Sequence, residues 1–249
     1  MLNVGEGQAL ILKRENAAML IDTGSAAHAA HVVTRLKAHN ITSLDAVIVT
    51  HLHPDHASGY FRIRESYPET MILHNAHPLP DRVAPDMVRW VRDAIESDSL
   101  QQVIRQGDTI PLGDLSVEVL WPSKFVSHNL NAHSLVLRIT VKNQRIVIMG
   151  DATKWSEQRL LQQGLLSGSA DVLVVGHHGA ADASSEALLK QLQPRLSLIS
   201  VNSGNIRGYP AAETLHRLVK HSGQVLRTDI DGEVCISLVS SRLQRQPCR

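Results

Sequence analysis

The sequence predicts an α/β fold, and three observations support this class. Short apolar runs rich in β-branched residues, such as Ala46 to Val49 and Asp171 to Val175, have the length of buried strands. Segments with helical spacing of apolar residues, such as Ala29 to Leu36, alternate with these runs. The chain has 249 residues, of which 43% are hydrophobic and 20% are charged, so one domain can bury a sizeable core.

The first half of the chain begins with a strand pair. Gln8 to Lys13 and Ala17 to Asp22 are apolar runs separated by three residues, a length suited to an antiparallel hairpin. A helix from Ala29 to Asn40 and a strand from Asp45 to Val49 follow, which completes one βα unit. After an irregular, proline-containing connection, Pro85 opens another helix.

The second half returns to strands and ends in a βαβ arrangement. The expected strands are Ser116 to Leu120, Leu135 to Val141, Gln144 to Met149, Asp171 to Val175 and Leu196 to Val201. Helices are expected near Trp155 to Gln163 and from Ala212 to His221. A hairpin from Val225 to Val239 is expected to turn at Asp231-Gly232, and the tail from Ser240 to Arg249 is expected to be frayed.

Three histidines and one carboxylate lie within six residues directly after the strand that ends at Val49. They are His51, His53, Asp55 and His56. Ligands in open α/β sheets gather beyond the carboxyl ends of strands, and imidazole and carboxylate groups suit divalent cations. His51 and His53 lie two residues apart and can share one side of a loop, while Asp55 and His56 can hold a second cation. The segment therefore predicts a metal centre.

Other strand ends carry similar residues. Asp151 follows the strand that ends at Met149, and His177 and His178 follow the strand that ends at Val175. His128 and His133 precede the strand from Leu135, and either can reach the same crevice. Asp22 also ends a strand, where a carboxylate can support the metal ligands. The remaining site-like histidines are expected to be structural or surface residues: His28, His31, His39, His74 and His77.

Composition excludes some functions. The formal net charge of +1 argues against a strongly basic nucleic-acid platform, although residues 190–249 hold nine Lys/Arg and four Asp/Glu. Aromatic residues make up only 3%, which leaves few platforms for base stacking. The sequence has two cysteines, which are too few for a disulfide framework. With no leader-like N-terminus and no apolar run near about 18 residues, we expect a cytoplasmic chain that does not engage a membrane. No pattern predicts its oligomeric state.

Together these segments resemble metallo-β-lactamase-fold hydrolases. Within that superfamily the chain most resembles the C-terminal hydrolase-like domain of the ComEC competence proteins of DNA uptake and their free-standing relatives. The specific part is Thr50 to His56, THLHPDH, which contains the HxHxDH signature. The resemblance implies a four-layer αββα sandwich formed by a single domain over residues 1–249, with two halves of roughly 1–130 and 131–249 and the metals at one edge between two sheets.

The resemblance also implies a metal-ligand set. His51 and His53 would bind the first cation, Asp55 and His56 would bind the second, and Asp151 would bridge the two. Asp55 would also act in catalysis by orienting the attacking water. The implied cofactor is one or two divalent cations, with Zn²⁺ expected first and Mn²⁺ or Fe²⁺ as alternatives.

Two ligand positions need a choice between neighbouring histidines. For the third ligand of the first cation we expect His133, with His128 as the alternative. For the second cation we expect His177, which leaves His178 to hold substrate or donate a proton. The relatives commonly have a histidine before the proline where this chain has Tyr209, so a centre with a single cation stays open.

The implied reaction is hydrolysis by water that the cations activate. The ComEC resemblance and the basic C-terminal quarter favour a phosphodiester substrate, in particular nucleic acid. A lactonase, thioesterase or β-lactamase-like hydrolase of small molecules is the alternative enzyme. A different class of function is a non-catalytic binding module on a degenerate metal site, an alternative motivated by Tyr209 and by Ala180, where relatives often have serine.

Overall fold

The computed structural model describes residues 1–76, 84–124 and 128–248, and the first of its sheets has five strands. In spatial order these strands are β1 (Leu10–Arg14), β2 (Ala17–Ile21), β3 (Ala46–Val49), β4 (Met71–His74) and β5 (Gln101–Val103). β1 and β2 form the predicted antiparallel hairpin, with Leu10 opposite Ile21. β2, β3, β4 and β5 run parallel, so their carboxyl ends lie at one edge of the sheet.

A second sheet has seven strands. In chain order they are β6 (Thr109–Leu112), β7 (Leu115–Trp121), β8 (Val136–Val141), β9 (Gln144–Ile148), β10 (Val172–Val174), β11 (Leu196–Ile199) and β12 (Gln224–Arg227). The spatial order is β12-β11-β10-β9-β8-β7-β6. Neighbours are antiparallel from β6 to β9 and parallel from β9 to β12. The chain therefore passes to the second sheet between β5 and β6, ahead of the predicted division near residue 130.

Helices cover the outer faces of the two sheets. In the described part of the chain they are α1 (Ala29–Ala38), α2 (Pro54–Ala57), α3 (Tyr60–Ser66), α4 (Asp86–Glu96), α5 (Lys154–Gln162), α6 (Glu186–Leu192), α7 (Ala212–His221) and α8 (Thr228–Asp231). A short 3₁₀ turn spans Gly176–Gly179. The apolar residues of α1, α3 and α4 pack on the first sheet, and those of α5, α6 and α7 pack on the second.

The strands explain why four layers form. In β10, Val172 and Val174 point into the apolar cluster between the two sheets. Leu173 and the following Val175 point to the opposite face, where they join the cluster beneath the helices. Alternate residues of a strand face opposite sides, so a strand that is apolar on both faces must be covered on both. This alternation produces the αββα sandwich that the resemblance implied.

The C-terminal region differs from the prediction. Residues 228–231 form α8 rather than the strand of a hairpin, because the Asp231 carboxylate accepts a hydrogen bond from the backbone N–H of Arg227 at 2.9 Å. The hairpin instead joins β13 (Cys235–Val239) to β14 (Arg242–Gln246), in the tail that was expected to be frayed. A disulfide between Cys235 and Cys248 closes this hairpin.

Of the histidines expected to be structural or surface residues, His74 is structural. Its side chain is buried at the end of β4, and its Nε2 lies 2.9 Å from Oε1 of Gln101 on β5. Its Nδ1 accepts a hydrogen bond from the backbone N–H of Ala76 at 3.2 Å. His77 lies outside the described residues.

Candidate metal centre

A buried carboxylate, Asp22, organises the loop that follows β3. Its Oδ1 accepts a hydrogen bond from the backbone N–H of Thr50 at 2.8 Å, and its Oδ2 accepts one from the Thr50 hydroxyl at 2.9 Å. Gln8 Nε2 donates to the same Oδ2 at 2.8 Å. His56 Nδ1 lies 2.7 Å from Oδ2, so it donates to Asp22 and directs Nε2 towards the centre. Asp22 thus has the supporting position that the sequence predicts.

The first ligand group consists of His51, His53 and Asp151. Nε2 of His51 lies 3.0 Å from Nδ1 of His53 and 3.5 Å from Oδ2 of Asp151. The two histidines come from the loop after β3, and Asp151 follows β9 across the gap between the sheets. The parallel strands on both sides of this gap end at the same edge, which brings the three side chains together.

The second ligand group consists of Asp55, His56 and His178. Nε2 of His56 lies 3.1 Å from Nε2 of His178, which in turn lies 3.5 Å from Oδ2 of Asp55. Asp151 also reaches this group, because its Oδ1 lies 3.1 Å from Nε2 of His56 and 3.7 Å from Nε2 of His178. One buried carboxylate therefore contacts both groups through its two oxygens.

The structure places His177 and His178 in the reverse of the predicted arrangement. His178 is buried, and its Nδ1 donates to the backbone oxygen of Ser200 at 2.9 Å, which directs Nε2 towards His56. His177 instead lies with its Nδ1 2.8 Å from Oδ1 of Asp182 and its Nε2 3.0 Å from Nδ2 of Asn131. Both histidines have positive φ angles, 49° and 53°, so the two adjacent rings diverge from the turn.

His133 and His128 are not brought into either group. The turn before β8 bonds the backbone N–H of His133 to the backbone oxygens of Asn129 and Leu130, and His128 is exposed. The next residue, Ser134, contacts the centre instead: its hydroxyl accepts a hydrogen bond from the backbone N–H of Asp151 at 3.0 Å. Ser134 precedes β8, which pairs antiparallel with β9, so Ser134 lies beside the end of β9 that Asp151 follows. The predicted pairing of these two strands was the available sequence signal.

Burial and neighbouring charges shift the pKa values of the histidines in different directions. Burial and the charge of His51 lower the pKa of His53 to about 3. Burial, together with the charge of His56, also lowers the pKa of His51. Burial alone would lower the pKa of His56, but the carboxylates of Asp151 and Asp22 raise it well above its ordinary value. The first group therefore presents neutral imidazoles, whereas the second contains an imidazolium.

The two carboxylates of the groups are ionised. Burial alone would raise the pKa of Asp151, but the charges of His56, His178 and His51 hold it well below its ordinary value. The pKa of Asp55 is likewise lowered, because the hydrogen bond from His178 and the charges of His56 and His178 outweigh burial. Ionised carboxylates beside imidazoles are the ligand type that divalent cations need.

The donor set fits divalent cations. His56 and His178 each use Nδ1 to donate to a protein oxygen, and their Nε2 atoms face each other at 3.1 Å. Two ring nitrogens at that distance repel each other unless a proton or a bound cation lies between them, and here the His56 proton occupies the position that a cation would take. Nitrogen ligands of a tetrahedral zinc ion lie roughly 3.3 Å apart, which follows from Zn–N bonds of about 2.0–2.1 Å. The spacings in both groups are close to this separation.

Several basic residues of the C-terminal quarter form ion pairs or hydrogen bonds within the protein. Arg207 pairs with Glu6 at 3.1 Å, Lys220 with Glu186 at 2.9 Å and Arg227 with Asp229 at 2.6 Å. The guanidinium group of Arg217 donates to backbone oxygens, including that of Ser184 at 2.9 Å. These contacts reduce the positive field that the charge count alone predicts.

The sandwich and the two ligand groups that share Asp151 define an αββα protein with a donor set for two cations at one edge of its sheets. The chain belongs to the metallo-beta-lactamase superfamily, whose family profile matches residues 2–203. The fold agrees with solved structures: the metallo-beta-lactamase fold protein YhfI from Bacillus subtilis superposes with a TM-score of 0.58 at 13% sequence identity, covering 89% of this chain and 88% of that chain.

Curated relatives include a ComE operon protein and a recombination protein. ComE operon protein 3 of Bacillus subtilis (strain 168) is 29% identical over 259 residues, which cover 94% of this chain and 32% of that protein. Recombination protein 2 of Haemophilus influenzae is 26% identical over 253 residues, which cover 100% of this chain and 30% of that protein. The chain thus spans about a third of these relatives. No helix in the described ranges has the length and apolar character needed to cross a bilayer.

Proposed function

We propose that this chain is a metal-dependent phosphodiesterase that acts on nucleic acid. The observation that carries the proposal is the contact of Asp151 with both ligand groups, at 3.5 Å from His51 and 3.1 Å from His56. Two cations that share a carboxylate can act together on the attacking and leaving oxygens of a phosphodiester, an arrangement found in phosphatases and nucleases. The name of one relative, Recombination protein 2, and the resemblance of the sequence to ComEC competence proteins support nucleic acid as the substrate class.

The residues of the chain have distinct roles in this proposal. His51, His53 and Asp151 would hold one cation, and Asp55, His56, His178 and Asp151 would hold the other, with Zn²⁺, Mn²⁺ and Fe²⁺ as candidates. Bound cations would supply activation of water and stabilisation of developing negative charge. Asp22 and Ser200 fix the rings of His56 and His178 by accepting their Nδ1 protons.

Asp55 is the carboxylate placed to act on the attacking water. Its side chain is 22% exposed, compared with 3% for Asp151, so Asp55 lies at the accessible side of the centre. Because its pKa is lowered, the carboxylate is ionised at neutral pH and can accept a hydrogen bond from water. It thereby orients the water towards the phosphorus atom.

The test is hydrolysis by purified protein supplied with Mn²⁺ or Zn²⁺. Wild-type protein is expected to cleave a chromogenic phosphodiester and single-stranded DNA, and Asp55→Asn is expected to lower kcat by roughly 100-fold or more, the usual scale for a group that acts on the proton of the nucleophile. Asp45→Asn is the matched control, because Asp45 lies at the opposite end of β3 and is exposed.

The substrate panel separates the alternatives. Metal-loaded protein that cleaves a lactone, a thioester or a β-lactam but no phosphodiester would replace the proposed substrate class with small molecules. Metal-loaded protein that cleaves none of these compounds would favour a non-catalytic binding module. Protein that retains no divalent metal after purification without chelators, and whose Tm does not respond to added metal, would contradict a metal centre of either kind.

A further inference from the structure

Tyr209 lies beside the second ligand group without belonging to it. Its ring stacks on that of His178 with an interplanar angle of 20° and a centroid separation of 6.5 Å. It meets the His177 ring at 65° with a centroid separation of 5.5 Å. The side chain is half-buried, so part of it faces solvent. A phenol is thus placed at the accessible border of the candidate centre.

The backbone of Tyr209 is held on both sides by one side chain. Its N–H donates to Oδ1 of Asn205 at 2.7 Å, and its carbonyl oxygen accepts from Nδ2 of Asn205 at 2.8 Å. The chain then packs against the turn of His178: the backbone N–H of Ala211 donates to the oxygen of Gly179 at 2.9 Å. A Cβ atom at Gly179 would lie only 2.6 Å from Cβ of Pro210. These contacts fix where the phenol stands.

Within residues 1–76, 84–124 and 128–248, the phenol oxygen of Tyr209 has no close hydrogen-bond partner. Its Oη lies 3.5 Å from Nε2 of His177, at the limit of a hydrogen bond. That nitrogen has a closer neighbour, Nδ2 of Asn131 at 3.0 Å, while Nδ1 of His177 faces Asp182 at 2.8 Å. A ring nitrogen has one bonding direction, which Asn131 occupies. The O–H of Tyr209 is therefore available to a ligand.

A second polar group beside His177 also lacks a partner. Asn131 is 8% exposed, and its Oδ1 is buried without a hydrogen-bond partner among the described residues. A buried amide oxygen without a hydrogen-bond partner destabilises the folded protein by roughly 1–3 kcal/mol. Such atoms therefore commonly mark a place where a ligand or water binds. Asn131 and Tyr209 thus place two polar side chains around Nε2 of His177, and the Tyr209 ring continues this polar surface to His178.

We propose that Tyr209 is a substrate-contacting residue, whose phenol donates a hydrogen bond to a non-bridging oxygen of the phosphoryl group, and that His177, held by Asp182, is the positioning residue behind it. This inference rests on the proposed phosphodiesterase function and deepens it. A phenol keeps its proton at neutral pH, since its ordinary pKa is near 10, and so can donate to an anionic oxygen without changing its charge. A fixed donor of this kind stabilises charge that develops in the transition state.

The test compares Tyr209→Phe with Tyr67→Phe in metal-loaded protein, using inorganic phosphate as the probe. Both substitutions remove one phenol oxygen, but the hydroxyl of Tyr67 donates to the backbone oxygen of Ile41 within the first helical layer. By calorimetry we expect phosphate to bind Tyr209→Phe roughly tenfold more weakly, the scale of one hydrogen bond to a charged group, and Tyr67→Phe to bind it as the wild type does. The metal content should be unchanged in both.

Kinetics provide a second measurement. Tyr209→Phe should raise KM and lower kcat for the phosphodiester. Asp182→Asn should also raise KM and lower kcat, but by less, because it only loosens His177, the positioning residue. Equal phosphate affinity and equal kinetics in wild type and Tyr209→Phe would overturn this inference and leave the proposed function standing. A wild-type protein that neither binds phosphate nor cleaves a phosphodiester, yet cleaves another substrate class, would overturn both.

Discussion

The two ligand groups have the same plan but different protonation. Each takes two side chains from the segment after β3, which includes α2, and one from a residue that follows a strand of the second sheet, with Asp151 contacting both groups. In the second group, the Nδ1 atoms of His56 and His178 donate to oxygens at 2.7 and 2.9 Å. In the first group, the neighbours of His51 Nδ1 within the described residues are hydroxyls, at 3.2 Å from Thr50 and 3.4 Å from Ser134. Supporting hydrogen bonds, and not the ligand types alone, distinguish the two groups.

The charge of the two groups differs for the same reason. Asp22 and Asp151 contact His56 from opposite sides and raise its pKa, whereas burial lowers the pKa of both His51 and His53. A cation entering the first group meets neutral ligands. A cation entering the second group must displace a proton. The comparison teaches that the carboxylate arrangement sets how strongly protons compete at each group.

The largest effect is expected from Asp151→Asn, which removes the charge that the two groups share. Substitutions that only disturb the partners of metal ligands weaken affinity by about 10–100-fold, so loss of a direct ligand charge should weaken both groups by roughly 100-fold or more. Metal analysis after dialysis measures the effect. Asp171→Asn is the control, since Asp171 lies at the opposite end of β10 and accepts a hydrogen bond from the backbone of Arg145. Full metal content in Asp151→Asn would refute the sharing of one carboxylate.

The next effect separates the adjacent histidines. His178→Ala should lower the affinity of the second group by roughly 100-fold while the first group keeps its cation, because the variant removes one nitrogen ligand from the second group alone. His177→Ala is the matched control and should retain the wild-type metal content. A metal titration monitored by calorimetry measures the affinities of the two groups separately. The opposite result would restore the ligand assignment that the sequence predicts.

The smallest effect is the response to pH. Because the pKa of His56 is raised in the folded protein, its proton competes with a cation, and the affinity of the second group should fall by about tenfold per pH unit below that pKa. His53, with a pKa lowered to about 3, should leave the first group nearly unaffected between about pH 6 and 8. Calorimetry in buffers of different ionisation enthalpy measures the protons released. Equal proton release from both groups would contradict the comparison.

In the metal-free protein, the two groups should change the free energy of unfolding in opposite directions as the pH falls. The raised pKa of His56 stabilises the fold fully below its unfolded value of about 6.5, and this contribution is lost as pH rises through the folded value. The lowered pKa of His53 means that the unfolded state binds more protons between about pH 6.5 and 3, so its contribution is lost on acidification. The balance between these terms sets the acid response of the metal-free protein.

Local patterns were sufficient to predict much of the fold and of the centre. The apolar runs that form β3, β9 and β10 are short and bounded, so the sequence alone predicts that the residues after them lie at one edge of the sheets. The segment from His51 to His56 and the isolated Asp151 follow from this position. Because parallel strands end at the same edge of a sheet, these ligand positions can be predicted without knowledge of contacts between residues distant in sequence.

Other features depend on contacts between residues distant in sequence. The roles of His177 and His178 are set by two positive φ angles and by acceptors at Asp182 and Ser200, which no local pattern reveals. Arg207 contributes little free charge because it pairs with Glu6, about 200 residues earlier in the chain. The count of basic residues could not include that pairing, so it overstated the attraction expected for a polyanion.

The close contact between Gly179 and Pro210 limits how this protein can change during evolution. A side chain at residue 179 would bring a Cβ atom within 2.6 Å of Cβ of Pro210, and φ of Gly179 is +79°, which side chains rarely adopt. The loop that carries Tyr209 therefore cannot be rerouted through a substitution at residue 179 without moving the turn that holds His178. Exchange of the side chain at position 209 leaves this backbone contact intact. A new substrate preference is thus more accessible by changing that side chain than by remodelling the loop.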